Sequence, residues 1–512
     1  MTSAGSMRAY NLGALYDPRI GGDRPALIDL LDWENPRHYS HREIDELANA
    51  VARGLLRRGL ARGDAVAILS ANRSEFVTGF LGIARAGLTA VPINYKFPRA
   101  TIEYVLADAS ARHVMCDAPR RGFVPEGLPA TNFDSTDADG FDAVLDRGAF
   151  EPVRPRPRET AMVLYTSGST GHPKGVPLSH EGHLWAVRAR LRGGAPSTTQ
   201  RLLVAASLCH MNALCTTLFV LAAGAGEVLM PEFDARRFLQ AIERFGCTWL
   251  TGVPPMYAMC LREKDLLEKI DRSKVTTVRM GSAPVSARLW SEVKAVFPGA
   301  LITNSYGTTE AGPVVCAPRP GQMPPDGSIG WPLEDVELRL VDAQGRDADE
   351  GVLWQRTPAN MTAYLNMPEK TREVLTGDGW YVSGDVFRRD AEGAYFFVGR
   401  SDDMFVCGGE NVFPGEVEHL LEQHPQIAQA CVVPVPDDIK GEKPFAFVVR
   451  KAGSTLSEED IKRYTLEHGP AYQHPRRVCL LDALPLAGPN KIDRKTLKQR
   501  AVELWQAAEK RP

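Results

Sequence analysis

Residues 162–180 read MVLYTSGSTGHPKGVPLSH. An apolar strand over 162–165 runs into Thr166, Ser167, Gly168, Ser169, Thr170 and Gly171, then His172, Pro173 and Lys174. Glycines let backbone amides close on a polyphosphate, hydroxyls add donors, and a lysine brings a movable positive charge. The pattern suits ATP, although a Gly/Ser run taken alone fits a plain turn equally well. A Walker loop needs Ser or Thr directly after its lysine to hold magnesium. Gly175 stands there instead, so that reading fails. A helix is expected after Ser179.

Upstream, apolar residues over 41–60 recur at three-to-four spacing, which predicts an amphipathic helix. Residues 65–69, 90–93 and 114–116 read as short strands, with helical spacing over 76–86 and 102–107 between them. Downstream the same beat returns over 201–252. Strands alternating with helices predict βαβ units and a mostly parallel sheet. Residues 336–366 alternate apolar and polar side chains between glycine turns, as in a small β-rich subdomain. From about residue 400 a shorter alternation of strand and helix begins. The fold expected is therefore α/β: layered α/β subdomains and a small β-rich subdomain, followed by a small α+β C-terminal unit.

The chain has 512 residues, too many for one ordinary core. Its formal net charge is -3, with no block of like charge, which leaves nucleic acid or an anionic membrane unsupported as main partner. The nine cysteines form no CxxC pair and several sit in apolar runs, as buried thiols of a cytoplasmic protein would. The apolar stretch 202–230 is interrupted by polar residues and glycines, so a buried strand and helix are expected there and no membrane span.

The segment TSGSTGHPKG, 166–175, resembles the signature of the adenylate-forming superfamily, which includes AMP-forming acyl-CoA synthetases, firefly-type luciferases and peptide-synthetase adenylation domains. Similar elements follow in order: GSAP at 281–284, NSYGTTEAGPV at 304–314, WYVSGD at 380–385, VGRSDDMFVCGGENVFPGEVE at 398–418 and LPLAGPNKIDRK at 484–495. Each could be an ordinary turn or solvated loop; the ordered set is what resembles the family.

The resemblance implies ATP, Mg²⁺ and coenzyme A as cofactor and co-substrates, and a mobile C-terminal domain. Residues 1–400 would form the adenylation domain and 401–512 the domain that rotates about Asp402. It implies that Tyr306 stacks on adenine, with Ser282, Ala283, Pro284, Asn304, Ser305, Gly307 and Thr308 framing the nucleotide. Thr309 would contact the α-phosphate, Glu310 would hold Mg²⁺, and Asp385 and Arg400 would bind the ribose. Lys491 would bridge the carboxylate and the α-phosphate. The residue before it is commonly Gly in the family, whereas here it is Asn490. Gly408 and Gly409 would line a pantetheine tunnel after rotation.

The family builds its acid pocket partly from the segment matching LCHMNALCT, 208–216. That implies His210 near the acyl group and Asn212, Ala213, Thr216, Val253, Gly281 and Gly307 as a wall of mostly small, uncharged residues. No Asp stands there to pair with an α-ammonium, so an amino acid is disfavoured. Aryl, cinnamate-like, betaine-like or carnitine-like, and short-to-medium-chain acids stay open. The reaction implied is acid, ATP and coenzyme A to acyl-CoA, AMP and pyrophosphate. The alternatives are transfer to a carrier-protein thiol, or a non-catalytic nucleotide-binding module. A homodimer, and a lysine acetyltransferase acting on Lys491, are the protein partners considered.

Overall fold

The computed structural model describes residues 9–166, 172–192, 198–283, 285, 287–319, 321–407, 410–437, 440–487 and 491–509, without the side chains of Asn411, Lys491, Ala508 and Glu509. The apolar run ahead of the Gly/Ser loop is strand Thr160–Thr166, and Lys174–Ser179 returns beside it antiparallel, pairing Thr166 with Lys174. The two strands form an antiparallel pair, and helix His180–Arg192 follows.

That pair closes one side of a six-stranded sheet whose other strands, Thr89–Pro92, Ala65–Leu69, Ala111–Cys116 and Ala130–Asn132, run parallel. A second, seven-stranded sheet contains Leu301–Ser305, Thr277–Gly281, Trp249–Gly252, Arg201–Val204 and Gly226–Leu229, all parallel. It is completed by Pro25–Asp29 and the antiparallel Arg37–Ser40. This N-terminal pair joins a sheet whose other strands all come after residue 200, with Leu27 beside Glu227.

Helices His41–Arg57, Ser74–Arg85 and Met211–Ala223 share one apolar core with residues of both sheets, including Leu27, Ile68, Leu164 and Val204. Ser40 starts the first with a reciprocal capping box to Glu43. Every residue of Ser74–Arg85 is buried. The two helices touch because Gly82 lacks a side chain: a Cβ there would lie 2.6 Å from Val51 Cβ.

The β-rich part reaches further than residue 366. Strands Glu337–Val341, Glu350–Arg356, Tyr381–Arg389 and Tyr395–Arg400 form one antiparallel sheet. Four residues later a separate sheet begins with Phe405–Cys407, centred on the long pair Ile427–Asp437 and Gly441–Arg450. Helices Pro414–Glu422, Glu458–His468 and Arg494–Glu509 accompany it, and its strands hold their own apolar clusters. The cysteines are free thiols, all buried except the half-buried Cys479. Among the described residues no helix is long and apolar enough to cross a membrane.

Candidate active site

Ligands of parallel sheets sit beyond the carboxyl ends of the strands. Here the ends of Thr160–Thr166, Thr277–Gly281 and Leu301–Ser305 meet a cleft of about 2830 Å³, walled on another side by Tyr381–Arg389 and Pro414–Glu422. Thr166, Lys174, Glu310, Asp385, Arg400 and Asp402 all face it.

Lys174 Nζ donates to the Tyr364 hydroxyl at 3.3 Å and stands 4.4 Å from the centre of its ring. The Tyr364 hydroxyl in turn donates to Glu310 Oε1 at 2.8 Å. Burial, then the adjoining carboxylate, holds that hydroxyl well above the usual phenol range, so it stays a donor at neutral pH. Glu310 is buried and forms no ion pair among the described residues. Its loop folds back on itself, with Thr308 and Gly312 exchanging backbone hydrogen bonds at 3.1 and 2.9 Å around Thr309 and Glu310. Gly307 permits the reversal, since a Cβ there would lie 2.4 Å from the Pro313 carbonyl carbon.

A second cluster centres on Asp385. It is paired directly with Arg400 across the antiparallel ladder, and Arg400 Nη1 reaches Asp385 Oδ1 at 3.0 Å. The Tyr306 hydroxyl donates to the other carboxylate oxygen, while the Tyr306 ring meets Phe387 edge-on at 4.7 Å. Burial pushes the Asp385 carboxyl above its ordinary range, against the opposing pull of Arg400 and Tyr306. Arg400 also grips Asp402 at 2.8 and 2.9 Å. That grip is the main cause holding the guanidinium above, and the Asp402 carboxyl below, its usual range.

His210, Asn212, Val253, Ser282, Ala283, Asn304, Ser305, Gly307, Thr308 and Thr309 line the cleft. Ser282 does so from a left-handed backbone conformation, φ 64°. Three wall residues do not. Ala213 and Thr216 are buried behind Asn212, whose carbonyl accepts from the Thr216 hydroxyl at 2.8 Å. Gly281 is pinned against Ser305, where a Cβ would lie 2.7 Å from Oγ.

The wall is not uncharged either. Arg279 faces the cleft, with Nε donating to Ser305 Oγ at 2.8 Å and Nη1 to Thr216 Oγ1 at 3.4 Å. Its signal in the sequence was a lone arginine inside an apolar strand, TVRMG. Tyr364 had no such signal, because it arrives on an irregular segment whose return to Gly175 is set by a Leu365 N to Gly175 O hydrogen bond of 2.8 Å. Ser167, Gly168, Ser169, Thr170, Gly171, Pro284, Gly408 and Gly409 lie outside the described residues, as does Asn490. Of Lys491 the backbone alone is described, in the short strand Lys491–Ile492 paired with Ala487.

Residues 18–365 match the AMP-binding enzyme family, and residues 416–491 match the AMP-binding enzyme C-terminal domain. The chain belongs to the AMP-binding enzymes. Within that class it is 31% identical over 500 residues to 4-coumarate–CoA ligase 1 of Solanum tuberosum, covering 93% of this chain and 91% of that one. It is 32% identical over 498 residues to 4-coumarate–CoA ligase 5 of Oryza sativa subsp. japonica, covering 93% and 92%. Its fold superposes on the anthranilate CoA ligase AuaEII in complex with anthranoyl-AMP with a TM-score of 0.88, at 28% identity over 99% of this chain and 100% of that one.

Proposed function

We propose that the chain is an AMP-forming acid:coenzyme A ligase that works through an acyl-adenylate. The observation that carries the reading is one cleft holding two clusters: Lys174, Tyr364 and Glu310 on one side, Tyr306, Asp385 and Arg400 on the other. The first suits a triphosphate and the second a ribose. A carboxylate oxygen of the acid attacks the α-phosphorus, the bond to the β-phosphate oxygen breaks, and pyrophosphate leaves. The thiol of coenzyme A then attacks the acyl carbon and releases AMP.

In this reading Lys174, steered by Tyr364, binds the outer phosphates together with the 166–171 loop. Thr309 donates to the α-phosphate, and the Asp385 carboxylate accepts from the ribose hydroxyls while Arg400 orients it. Tyr306 stacks on adenine, beside Ser282, Ala283, Asn304 and Ser305. Lys491 bridges the reacting carboxylate and α-phosphate, where negative charge accumulates in the transition state. Mg²⁺ commonly binds through one or two carboxylates plus substrate phosphates. A buried Glu310 without an ion pair fits that donor set, and no all-protein cluster of three metal-ligating side chains occurs among the described residues. The ion would neutralise charge on the departing pyrophosphate.

Two half-reactions need two settings of one site, so residues 401–512 are taken to rotate about Asp402. Rotation withdraws Lys491 and brings Gly408 and Gly409 to the pantetheine. Acetylation of Lys491 would remove the bridging charge and stop the first half-reaction. The named relatives favour a cinnamate-type aryl acid among the candidate substrates.

The test is AMP release with and without coenzyme A, across benzoates, cinnamates, short and medium fatty acids, betaines and dicarboxylic acids. AMP and thioester appearing together from one class is the expected result. Pyrophosphate without thioester would move the acceptor to a carrier protein, and silence across the panel would overturn the reading.

A further inference from the structure

Among the described residues Arg279 has no counter-ion: it forms no salt bridge, and its polar side-chain contacts are the hydroxyls of Ser305 and Thr216. Behind it lies a second arginine in the same condition. Arg190 donates to the Cys215 carbonyl at 3.5 Å and stands 4.1 Å from the centre of the Phe219 ring, again with no carboxylate. The charged or titratable groups acting on the two guanidiniums include each other, Cys215 and Tyr257, and no carboxylic acid among the described residues. Residues 193–197, outside the description, read GGAPS and contain no acid either.

Burying a charge costs several kcal/mol unless a partner offsets it. Burial lowers Arg279 to about 10, which leaves it cationic at neutral pH. A second arginine near enough to act on the first, without an anion, adds to that cost. The arrangement lies in the wall of the substrate cleft, one strand repeat below Gly281 on the same face of Thr277–Gly281. Asn212, on the same wall, has a buried Oδ1 with no partner among the described residues. Its amide can turn to present the Nδ2 donor.

We propose that Arg279 is a specificity residue that recognises a second anionic group at the far end of the acid, so that the preferred substrate is a dicarboxylic acid. Arg190 adds positive potential behind it, and Ser305 and Thr216 hold the guanidinium in place. The free carboxylate supplies the charge that the protein omits, while the other carboxylate is adenylated. A neutral-tailed acid of the same shape leaves the buried cation unpaired and binds poorly. The proposal rests on the ligase reading and narrows it.

The experiment compares matched acids, such as cinnamate with 4-carboxycinnamate and butyrate with glutarate, in coenzyme A-dependent AMP release. Wild type is expected to favour a diacid over its partner by about 100-fold in kcat/KM, the range of a buried charge pair. Arg279→Met should erase that preference, and Arg279→Lys should restore part of it. Equal rates on both members of each pair would overturn the proposal while leaving the ligase reading intact.

Calorimetric titration of the same acids, with a non-hydrolysable ATP analogue present, reads the site without turnover. Diacid binding that Arg279→Met abolishes upholds the proposal even in a silent enzyme; no diacid binding by wild type in either assay overturns it. Thermal unfolding separates a structural role. Replacing an unpaired buried charge by an apolar group of similar size should leave Tm unchanged or raise it. A fall in Tm together with unchanged acid selectivity would make Arg279 a framework residue.

Discussion

Glu227 is an ionisable group on which the proposed chemistry makes no demand. It lies in strand Gly226–Leu229, 1% exposed, with Oε1 accepting from the Thr217 hydroxyl at 3.0 Å and Oε2 meeting no partner among the described residues. Burial pushes the carboxyl up to about 8. A carboxyl raised in the folded state stays protonated there while the unfolded chain ionises. Stability is therefore lost as pH rises from the unfolded value, 4.5, through 8. Glu227→Gln keeps the shape and the acceptor without the ionisation. It should stabilise the protein by roughly 1–4 kcal/mol at pH 7.5 and much less at pH 5, as read from urea midpoints. An equal effect at both pH values would show that titration plays no part. At this scale the sequence was informative where chemistry follows a local string. Lys174 could be named from its own Gly- and hydroxyl-rich string, whereas Glu310, Asp385 and Arg400 could be named only because the ordered set of motifs resembles a family. Tyr364 and Arg279 could not be assigned to the site, because their neighbours come from segments remote in the chain: Glu310 for one, Thr216 and Ser305 for the other.

Between strands Tyr395–Arg400 and Phe405–Cys407 the chain has four residues in which to change direction. Ser401 is fastened at both backbone and side chain to the Gly384 carbonyl, at 2.8 and 2.9 Å, and Met404 N reaches the Arg400 carbonyl at 3.2 Å. Among the described residues the Asp402 amide makes no backbone–backbone bond of this kind, while its carboxylate is held by Arg400. The rotation proposed about this residue would therefore be opposed by the Asp402–Arg400 side-chain pair more than by the backbone. Asp402→Pro fixes φ without removing a ladder bond. It should slow thioester formation by on the order of 10-fold or more while leaving pyrophosphate release within a few-fold of wild type. Asp402→Ala, which loses the ion pair but keeps the freedom, should spare both steps; equal damage from either change would remove the hinge assignment. Strand and helix alternation was legible at this scale because burial imposes its period locally. The return strand Lys174–Ser179 and the insertion of Pro25–Asp29 beside Gly226–Leu229 were not, since pairing partners leave no mark on a strand's own periodicity.

Across the whole molecule, buried histidines weigh on the response to acid: His474 and His41 are lowered by burial, and three more are tied into the N-terminal half of the chain. His180 Nδ1 accepts from the Leu12 amide at 3.0 Å and so fastens the N-terminal segment to helix His180–Arg192. His183 Nδ1 lies 3.3 Å from the Ser179 carbonyl, and His113 Nε2 lies 2.9 Å from the Thr131 hydroxyl, beneath the first sheet's far edge. Burial lowers each ring from 6.5 to about 4. The folded rings stay neutral in a range where the unfolded chain takes up protons. Their contribution is complete above pH 6.5 and is lost as pH falls toward 4, by up to about 3 kcal/mol per ring. Glu75, held near 2 by Arg37 and Arg73 against its burial, loses its contribution only below 4.5, so it leaves this window clear. Glu227 runs the other way over the same range, and the Glu227→Gln background removes it; the raised carboxyls of Asp385, Asp403 and Glu416 act in the same sense as Glu227 and remain. In that background the urea midpoint should fall from pH 6.5 to 4.5, and His180→Asn, which can still accept from Leu12, should reduce the slope by roughly a quarter or less, since His113, His183, His474 and His41 are lowered as well. A midpoint flat across this interval would mean that these rings take up protons without unfolding, and that their burial does not control the acid limit of the fold.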